Sequence, residues 1–253
     1  MTRIIVDVGN SRISIASSGN GHLSVMRHYD TNDAEAAADY IVAESGRLMA
    51  PVAFASVVPQ AREVLVTKLT ESGRTFHEIT TANQGIIHSV YPSMGVDRIA
   101  CIAAALRFHG QGKGAIVLDF GTATTFTACD ENGTFKGGWI TLGLGRTLKA
   151  LNRNTGQLPD LADKLQNAQD VLLGFSTENA ILSGTLLGHV GIVSEWVSEF
   201  RKQTPGEYRI LATGGYAPMV MPLTDLIDAY EPDLALKGID LIAEAAAVPE
   251  GQV

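Results

Sequence analysis

The sequence predicts an α/β protein of two related lobes, each built on a mixed sheet. Three observations lead there. An apolar, β-branched run, Ile4-Ile5-Val6, leads into Asp7-Val8-Gly9-Asn10-Ser11, and a similar run, Ala115-Ile116-Val117-Leu118, leads into Asp119-Phe120-Gly121-Thr122-Ala123. After each copy come strand patterns joined as hairpins, then alternating helix and strand patterns, so one order of elements occurs twice. A glycine-rich connector, Gly110-Gln111-Gly112-Lys113-Gly114, separates the copies and sets the lobes at 1–113 and 114–253. The connector is read as a linker or turn. It is not a P-loop, because Lys113 is followed by glycine and not by Ser or Thr.

In the first lobe, 3–8 and 12–17 read as strands around the first Asp-x-Gly turn, and Asn20-Gly21 signals a hairpin into a third strand at 23–28. Asn32 or Asp33 can cap a helix reaching Met49; 52–57 is a strand, 60–71 a helix, 75–79 a strand and 95–108 a helix. Ala100, Ala103, Ala104 and Leu106 give that last helix a face of small residues for packing. In the second lobe, strands are expected at 115–119, 124–129 and 134–140, with Glu131-Asn132-Gly133 as a turn. A helix at 145–153 follows, then a long helix opened by Thr177 and running to Lys202, a strand at 210–212 and a closing helix at 236–247.

Composition narrows the function. The 253 residues are 45% apolar and 18% charged, with a net charge of −8. That suits a globular protein with a sizeable core and argues against nucleic-acid binding, which draws on clustered Lys and Arg. An acidic protein that handles ATP must neutralise it locally, so Mg²⁺ is expected. Cys101 and Cys129 sit in apolar or strand-end contexts and read as reduced structural thiols. The six histidines show no zinc-ligand spacing. Arg3 precedes only a short strand-like run, and no unbroken stretch of eighteen apolar residues is present, so a cytoplasmic protein without a membrane span is expected.

The two Asp-x-Gly turns carry the first chemical signal. Glycine lets the backbone come close, N–H groups and hydroxyls donate hydrogen bonds, and the aspartate can hold a cation or water between phosphates. Two such turns facing one another would make a phosphate clamp. Four further segments have both a structural and a functional reading. Gly95-Val96-Asp97-Arg98 opens a helix; Asp97 is either a carboxylate favoured by the helix dipole or a general base beside a cationic ligand for an anion. Gly137-Gly138-Trp139-Ile140 is either a bulge or a close approach of backbone to ligand. Thr177-Glu178-Asn179-Ala180 is either a helix cap or an anion-binding helix start, and Thr213-Gly214-Gly215 ends a strand where a base or ribose could lie on bare backbone.

The succession Asp7-Val8-Gly9-Asn10-Ser11, Ser56-Val57-Val58-Pro59, Gly95-Val96-Asp97-Arg98, Asp119-Phe120-Gly121-Thr122-Ala123-Thr124-Thr125, Gly137-Gly138-Trp139-Ile140, Thr155-Gly156-Gln157-Leu158-Pro159 and Thr213-Gly214-Gly215 resembles the type III pantothenate kinases. The resemblance covers roughly residues 3–245. It implies the duplicated ribonuclease-H-like fold of the actin, hexokinase and heat-shock ATPase superfamily, and ATP-dependent phosphorylation of pantothenate, the first step of coenzyme A synthesis. It further implies that Asp7, Val8, Gly9, Asn10, Ser11, Arg12, Ile13 and Ser14 form the first ATP-phosphate loop, with Thr122 as a second phosphate contact. Gly95, Val96, Asp97, Arg98, Thr177 and Tyr91 would meet pantothenate, with Asp97 as proton acceptor. Asp119 matches the ligand of a monovalent cation, K⁺ or NH₄⁺, used together with Mg²⁺. A homodimer with the substrate site near the subunit interface is implied as well. The chain departs from the pattern at Leu142, where the family commonly has proline, at Ser14, where a basic residue or threonine is common, and in a short segment before Gly95. A non-catalytic relative of the Bvg accessory factor kind is the competing implication; the retained Asp7, Asp97, Arg98 and Asp119 weigh against it.

Overall fold

The computed structural model describes residues 2–19, 21–167 and 173–247. They form two compact units: Met1–Phe108 with Gly133–Phe135 and Asp233–Val253, and His109–Asn132 with Lys136–Pro232.

The first unit begins with β1 (Arg3–Val8), β2 (Arg12–Gly19) and β3 (His22–Asp30), followed by α1 (Ala34–Leu48), β4 (Val52–Ser56), α2 (Pro59–Glu71), β5 (Phe76–Ile79) and α3 (Val96–His109). The sheet order is β3-β2-β1-β4-β5, with β1 antiparallel to β2 and parallel to β4. Strand periodicity sends Ile4, Val6 and Val8 into one cluster with Ile13, Ile15, Phe54 and the inner residues of α1 and α2, leaving Ile5 and Asp7 on the other face. Proline at the start of α2 supplies a fixed φ where no N–H is needed. The expected hairpin at Asn20-Gly21 is described only in part, since Asn20 lies outside the described residues; Gly21 has φ +77°.

The second unit repeats the plan. β6 (Gly114–Phe120), β7 (Ala123–Cys129) and β8 (Phe135–Leu142) lead into α4 (Leu144–Arg153), α5 (Thr177–Gln203), β9 (Tyr208–Thr213), the single-turn α6 (Ala217–Val220) and β10 (Ala229–Tyr230). Its sheet runs β10-β9-β6-β7-β8, so β6 takes the place of β1, β7 that of β2, and β9 that of β4, with the same antiparallel and parallel sense. Phe126 anchors the core: its ring lies 5.0 Å from Trp139 and 5.3 Å from Phe200. By length and composition α5 is a candidate membrane span, which the search for an unbroken apolar run passed over. Its Leu186, Val193, Val197 and Phe200 are spent on the core of this unit.

The closing helix, α7 (Leu234–Ala246), does not follow the 114–253 boundary: it packs on the sheet of the first unit. Arg3 pairs with Asp240 at 2.7 Å, and Ser18 donates to the other Asp240 oxygen. Gly238 lies so close to the Ala100 backbone that a Cβ would overlap it, so the small-residue face of α3 is matched by a glycine on α7.

Candidate active site

The first turn is a short loop that joins the central strand, β1, to β2. Asp7 pairs with Ser14 across β1 and β2, and Val8 with Ile13. The Gly9 N–H donates to the Arg12 carbonyl at 3.0 Å, and Thr31 fixes the loop by donating its hydroxyl to the Gly9 carbonyl at 2.7 Å. Asn10, Ser11 and Arg12 are exposed, while Val8 and Ile13 are buried, so only the main chain of those two can approach a ligand. Ser14 is buried beside His28, with Nδ1 3.2 Å from its Oγ. Burial and Arg12 hold the His28 ring below its ordinary range, partly offset by Asp233. No motif marks Thr31 in the sequence.

Gly95-Val96-Asp97-Arg98 lies at the start of α3. The Asp97 carboxylate folds back over Gly95, where a Cβ would collide with Oδ1, and Oδ1 accepts the Arg98 N–H at 2.8 Å. Burial pushes the Asp97 carboxyl upward, and the Arg98 N–H and guanidinium pull it partly back. Val96 and Arg98 are buried. Arg98 Nη1 donates to the Tyr91 hydroxyl at 2.9 Å, and the Tyr91 ring meets Phe135 edge-on at 5.9 Å. Tyr91 is 42% exposed, so the pair reaches the surface. Val57 links this group to the first turn. Its N–H donates to the Val8 carbonyl at 3.1 Å, and its side chain is the neighbour of Gly95. The Ser56–Pro59 segment was recognisable as a motif; its linking role was not.

Asp119, Thr122 and Thr177 belong to the second unit. Asp119 pairs with Thr125 and, in parallel, with Thr213. Three glycines crowd its turn. A Cβ at Gly121 would sit 3.3 Å from the Asp119 carboxylate, and one at Gly214, which has φ +88°, would run into that carboxylate and the Phe120 backbone. Gly143, just before α4, donates its N–H to the Thr122 carbonyl at 3.1 Å, and a Cβ there would strike the Gly121 and Thr122 carbonyls. Such a bare-backbone cradle beside one carboxylate fits phosphate oxygens with a cation. Gly137, on β8, has φ +127° and no heavy atom near its Cβ direction, so both readings of the Gly137-Gly138 segment stand.

Thr177 does not cap α5. Ser176 does, accepting the Asn179 N–H at 3.2 Å, because the residue before the first helical one is placed to reach that donor. Thr177 instead lines an open cavity of about 730 Å³ with Thr141, Leu142, Leu151, Ile181 and His189. Both cysteines are buried, and burial pushes the Cys129 thiol up to about 12, which leaves it a poor nucleophile.

A family model described as type III pantothenate kinase matches residues 3–199. Relatives bearing that name include proteins of Agathobacter rectalis, 36% identical over 151 residues (59% of this chain, 56% of the relative), and Rhodospirillum rubrum, 36% identical over 159 residues (62% and 60%). The match thus spans less than two thirds of the length of these relatives. With the Dehalococcoides mccartyi protein of the same name it is 30% identical and covers 94% of each chain. Among solved structures, a Baf family protein from Campylobacter jejuni has a TM-score of 0.61 at 18% identity, covering 96% of this chain and 98% of the other. MreB5 of Spiroplasma citri and the ROK hexokinase of Thermus thermophilus each reach 0.55, at 13% and 14% identity, and cover 97% and 98% of this chain and 96% and 100% of theirs. These neighbours share the duplicated actin-like architecture. By the family match, the chain belongs to the type III pantothenate kinases.

Proposed function

We propose that this protein transfers the terminal phosphoryl group of ATP to the primary hydroxyl of pantothenate, giving 4′-phosphopantothenate and ADP at the head of coenzyme A synthesis. The observation that carries the reading is the Asp97 carboxylate, held over Gly95 beside the buried Arg98, with burial raising its proton affinity. An alkanol is too weak an acid to ionise alone at neutral pH. A carboxylate in reach accepts its proton as the O–P bond forms, and a raised carboxyl is the better acceptor. Arg98, steadied by Tyr91, faces an anionic group of the acceptor or the moving phosphoryl group.

Phosphoryl transfer has a loose transition state with charge spread over the equatorial oxygens, so catalysis rests on positioning and neutralisation. The reading gives ATP phosphates to the Asp7–Ser14 turn and to Thr122, a cation to Asp119 and an acceptor contact to Thr177. Among the described residues, no three His, Cys, Asp or Glu converge on one point. When bound, Mg²⁺ and K⁺ or NH₄⁺ supply positive charge against the phosphates. A homodimer in the cytoplasm completes the reading; Ile140, Leu142 and Leu187, all more than half exposed, are apolar surface that a second copy would cover.

The test is ADP release by the purified protein with Mg-ATP across pantothenate, pantetheine, glycerol, acetate and hexoses, in K⁺, NH₄⁺ and Na⁺. Turnover with pantothenate that depends on K⁺ or NH₄⁺ is expected. No turnover of pantothenate with any nucleoside triphosphate overturns the assignment in favour of a non-catalytic relative.

A further inference from the structure

His189 has no part in the roles proposed so far. It lies on α5 and is 3% exposed. Nδ1 is 2.9 Å from the Thr185 carbonyl oxygen, and Nε2 is 3.0 Å from the Leu142 carbonyl oxygen. The two contacts differ in what they add. Thr185 is four residues earlier on the same helix, so its carbonyl is already in register to accept the His189 main-chain N–H. Leu142 is the last residue of β8, the edge strand of its sheet, and comes from far away in the sequence. Both partners are carbonyls, which only accept, and a neutral imidazole carries a single N–H, so the tautomer decides which of the two the ring bonds; a bond to Leu142 requires the proton on Nε2.

The next residue, Gly143, holds the second phosphate turn. Its N–H donates to the Thr122 carbonyl, and a Cβ there would strike the Gly121 and Thr122 carbonyls. It also starts α4, accepting the Thr147 N–H at 2.9 Å. One dipeptide, Leu142-Gly143, is therefore tied to α5 on one side and to the Asp119 turn on the other. The open cavity of about 730 Å³ runs along this joint and is lined by Leu142, Thr147, Thr177 and His189. Within the chain, His189 is the residue of α5 that reaches across this cavity wall to the Leu142 main chain.

We propose that His189 is a positioning residue. By donating from Nε2 to the Leu142 carbonyl it fixes the joint between β8 and α4, and through Gly143 it fixes the Gly121–Thr122 turn for the phosphates of ATP. The ATP consequence rests on the reading of that turn given above; the positioning of the joint does not.

The experiment compares His189→Leu, which removes the donor, with His189→Gln, whose amide nitrogen can reach where Nε2 stands. In the nucleotide-free protein, amide exchange at Gly143 should speed up about tenfold in His189→Leu and stay near wild type in His189→Gln, the scale of one lost hydrogen bond. Exchange in the middle of α5 should not change. Mg-ATP affinity by calorimetry should fall about tenfold in His189→Leu and be rescued in His189→Gln. Unchanged exchange at Gly143 in His189→Leu, or equal damage in both variants with a common fall in melting temperature, overturns the proposal. If His189→Leu does not fold, imidazole ¹⁵N spectra of the wild type decide: a proton on Nε2 supports the proposal and its absence overturns it. A wild type that binds no Mg-ATP refutes the nucleotide reading alone, and the exchange result then judges the joint.

Discussion

The Asp97 carboxylate fills the space that a side chain at position 95 would need. Gly95 is thus required by its neighbour two residues on, and not by an unusual φ of its own. Gly95→Ala should drive the carboxylate off its position at the start of α3 while the buried face of the helix, Ile99, Ala100, Ile102 and Ala103, keeps it docked. Turnover with pantothenate is expected to fall by about 10²-fold, the scale of losing a general base, with a circular dichroism spectrum like wild type. Near-normal turnover would mean that the carboxylate's place over Gly95 is irrelevant to chemistry.

Asp97→Asn separates a base from a helix-end charge. Asparagine keeps the size and one acceptor for the Arg98 N–H but cannot take the substrate's proton. We expect kcat to drop about 10²-fold with little change in the KM for ATP. The pH behaviour has a definite sign. Burial raises the folded-state pKa of Asp97 above its unfolded value. Between those two values the native state binds the proton and the unfolded state does not, so the group's contribution to stability declines as pH rises through that window. Asp97→Asn should therefore melt at or above the wild-type temperature at pH 7, and the difference should vanish below about pH 4, the ordinary carboxylate range. A carboxylate that merely favours the helix N-terminus would do the opposite, costing about 0.3–1 kcal/mol when removed. In wild type, the acid limb of kcat/KM should lie above the usual carboxylate range.

Arg98 and Tyr91 act as a pair through the 2.9 Å bond from Nη1 to the phenol oxygen. A guanidinium can bond Tyr91 with one nitrogen and an anion with the others; an ammonium at that depth cannot reach both. Arg98→Lys is expected to raise the KM for pantothenate about tenfold or more, the worth of a charge-assisted bond. Tyr91→Phe, which keeps the ring against Phe135 and loses the hydroxyl, should have a smaller effect of the same kind. Equal KM values for wild type and Arg98→Lys would remove Arg98 from the acceptor site.

The repeated strand-turn units were legible because each combines a short apolar run rich in β-branched residues, which favours a buried strand, with a glycine-bearing turn. The hairpins at the start of each lobe and the alternating helices and strands after them were legible as a mixed sheet; the strand directions and the sheet order come from the structure. The place of α7 was not legible. Periodicity tells which face a helix buries but not against which sheet; the partner is shown by the bonds from Arg3 and Ser18 to Asp240 and by the closeness of Gly238 to Ala100. β10 escaped because two residues, Ala229–Tyr230, carry no pattern; Asp228 sets up the pairing through its bond to the Ile210 N–H. At the site, Ser176 and Thr177 are both capping residue types, and sequence could not say which side chain turns to the helix and which to the cavity. His189 was hidden for a similar reason: a lone histidine on an apolar helix names no partner, and its acceptor lies on another element.

Gly214 and Asp119 supply the last test, because they reach one carboxylate by different routes. Gly214 holds φ +88°, and a Cβ there would meet the Asp119 carboxylate and the Phe120 main chain. Gly214→Ala should lower stability by about 1–3 kcal/mol through backbone strain and also push the carboxylate away from its turn. Asp119→Asn leaves the shape and the strand register with Thr125 and Thr213 in place and removes only charge. If Asp119 holds the monovalent cation, both variants need more K⁺ for half-maximal activity, but only Gly214→Ala melts clearly lower. K⁺ titrations and thermal melts on the same two preparations separate the effects. An Asp119→Asn enzyme with the wild-type K⁺ titration would reduce Asp119 to a turn residue, and any loss in Gly214→Ala would then be strain alone.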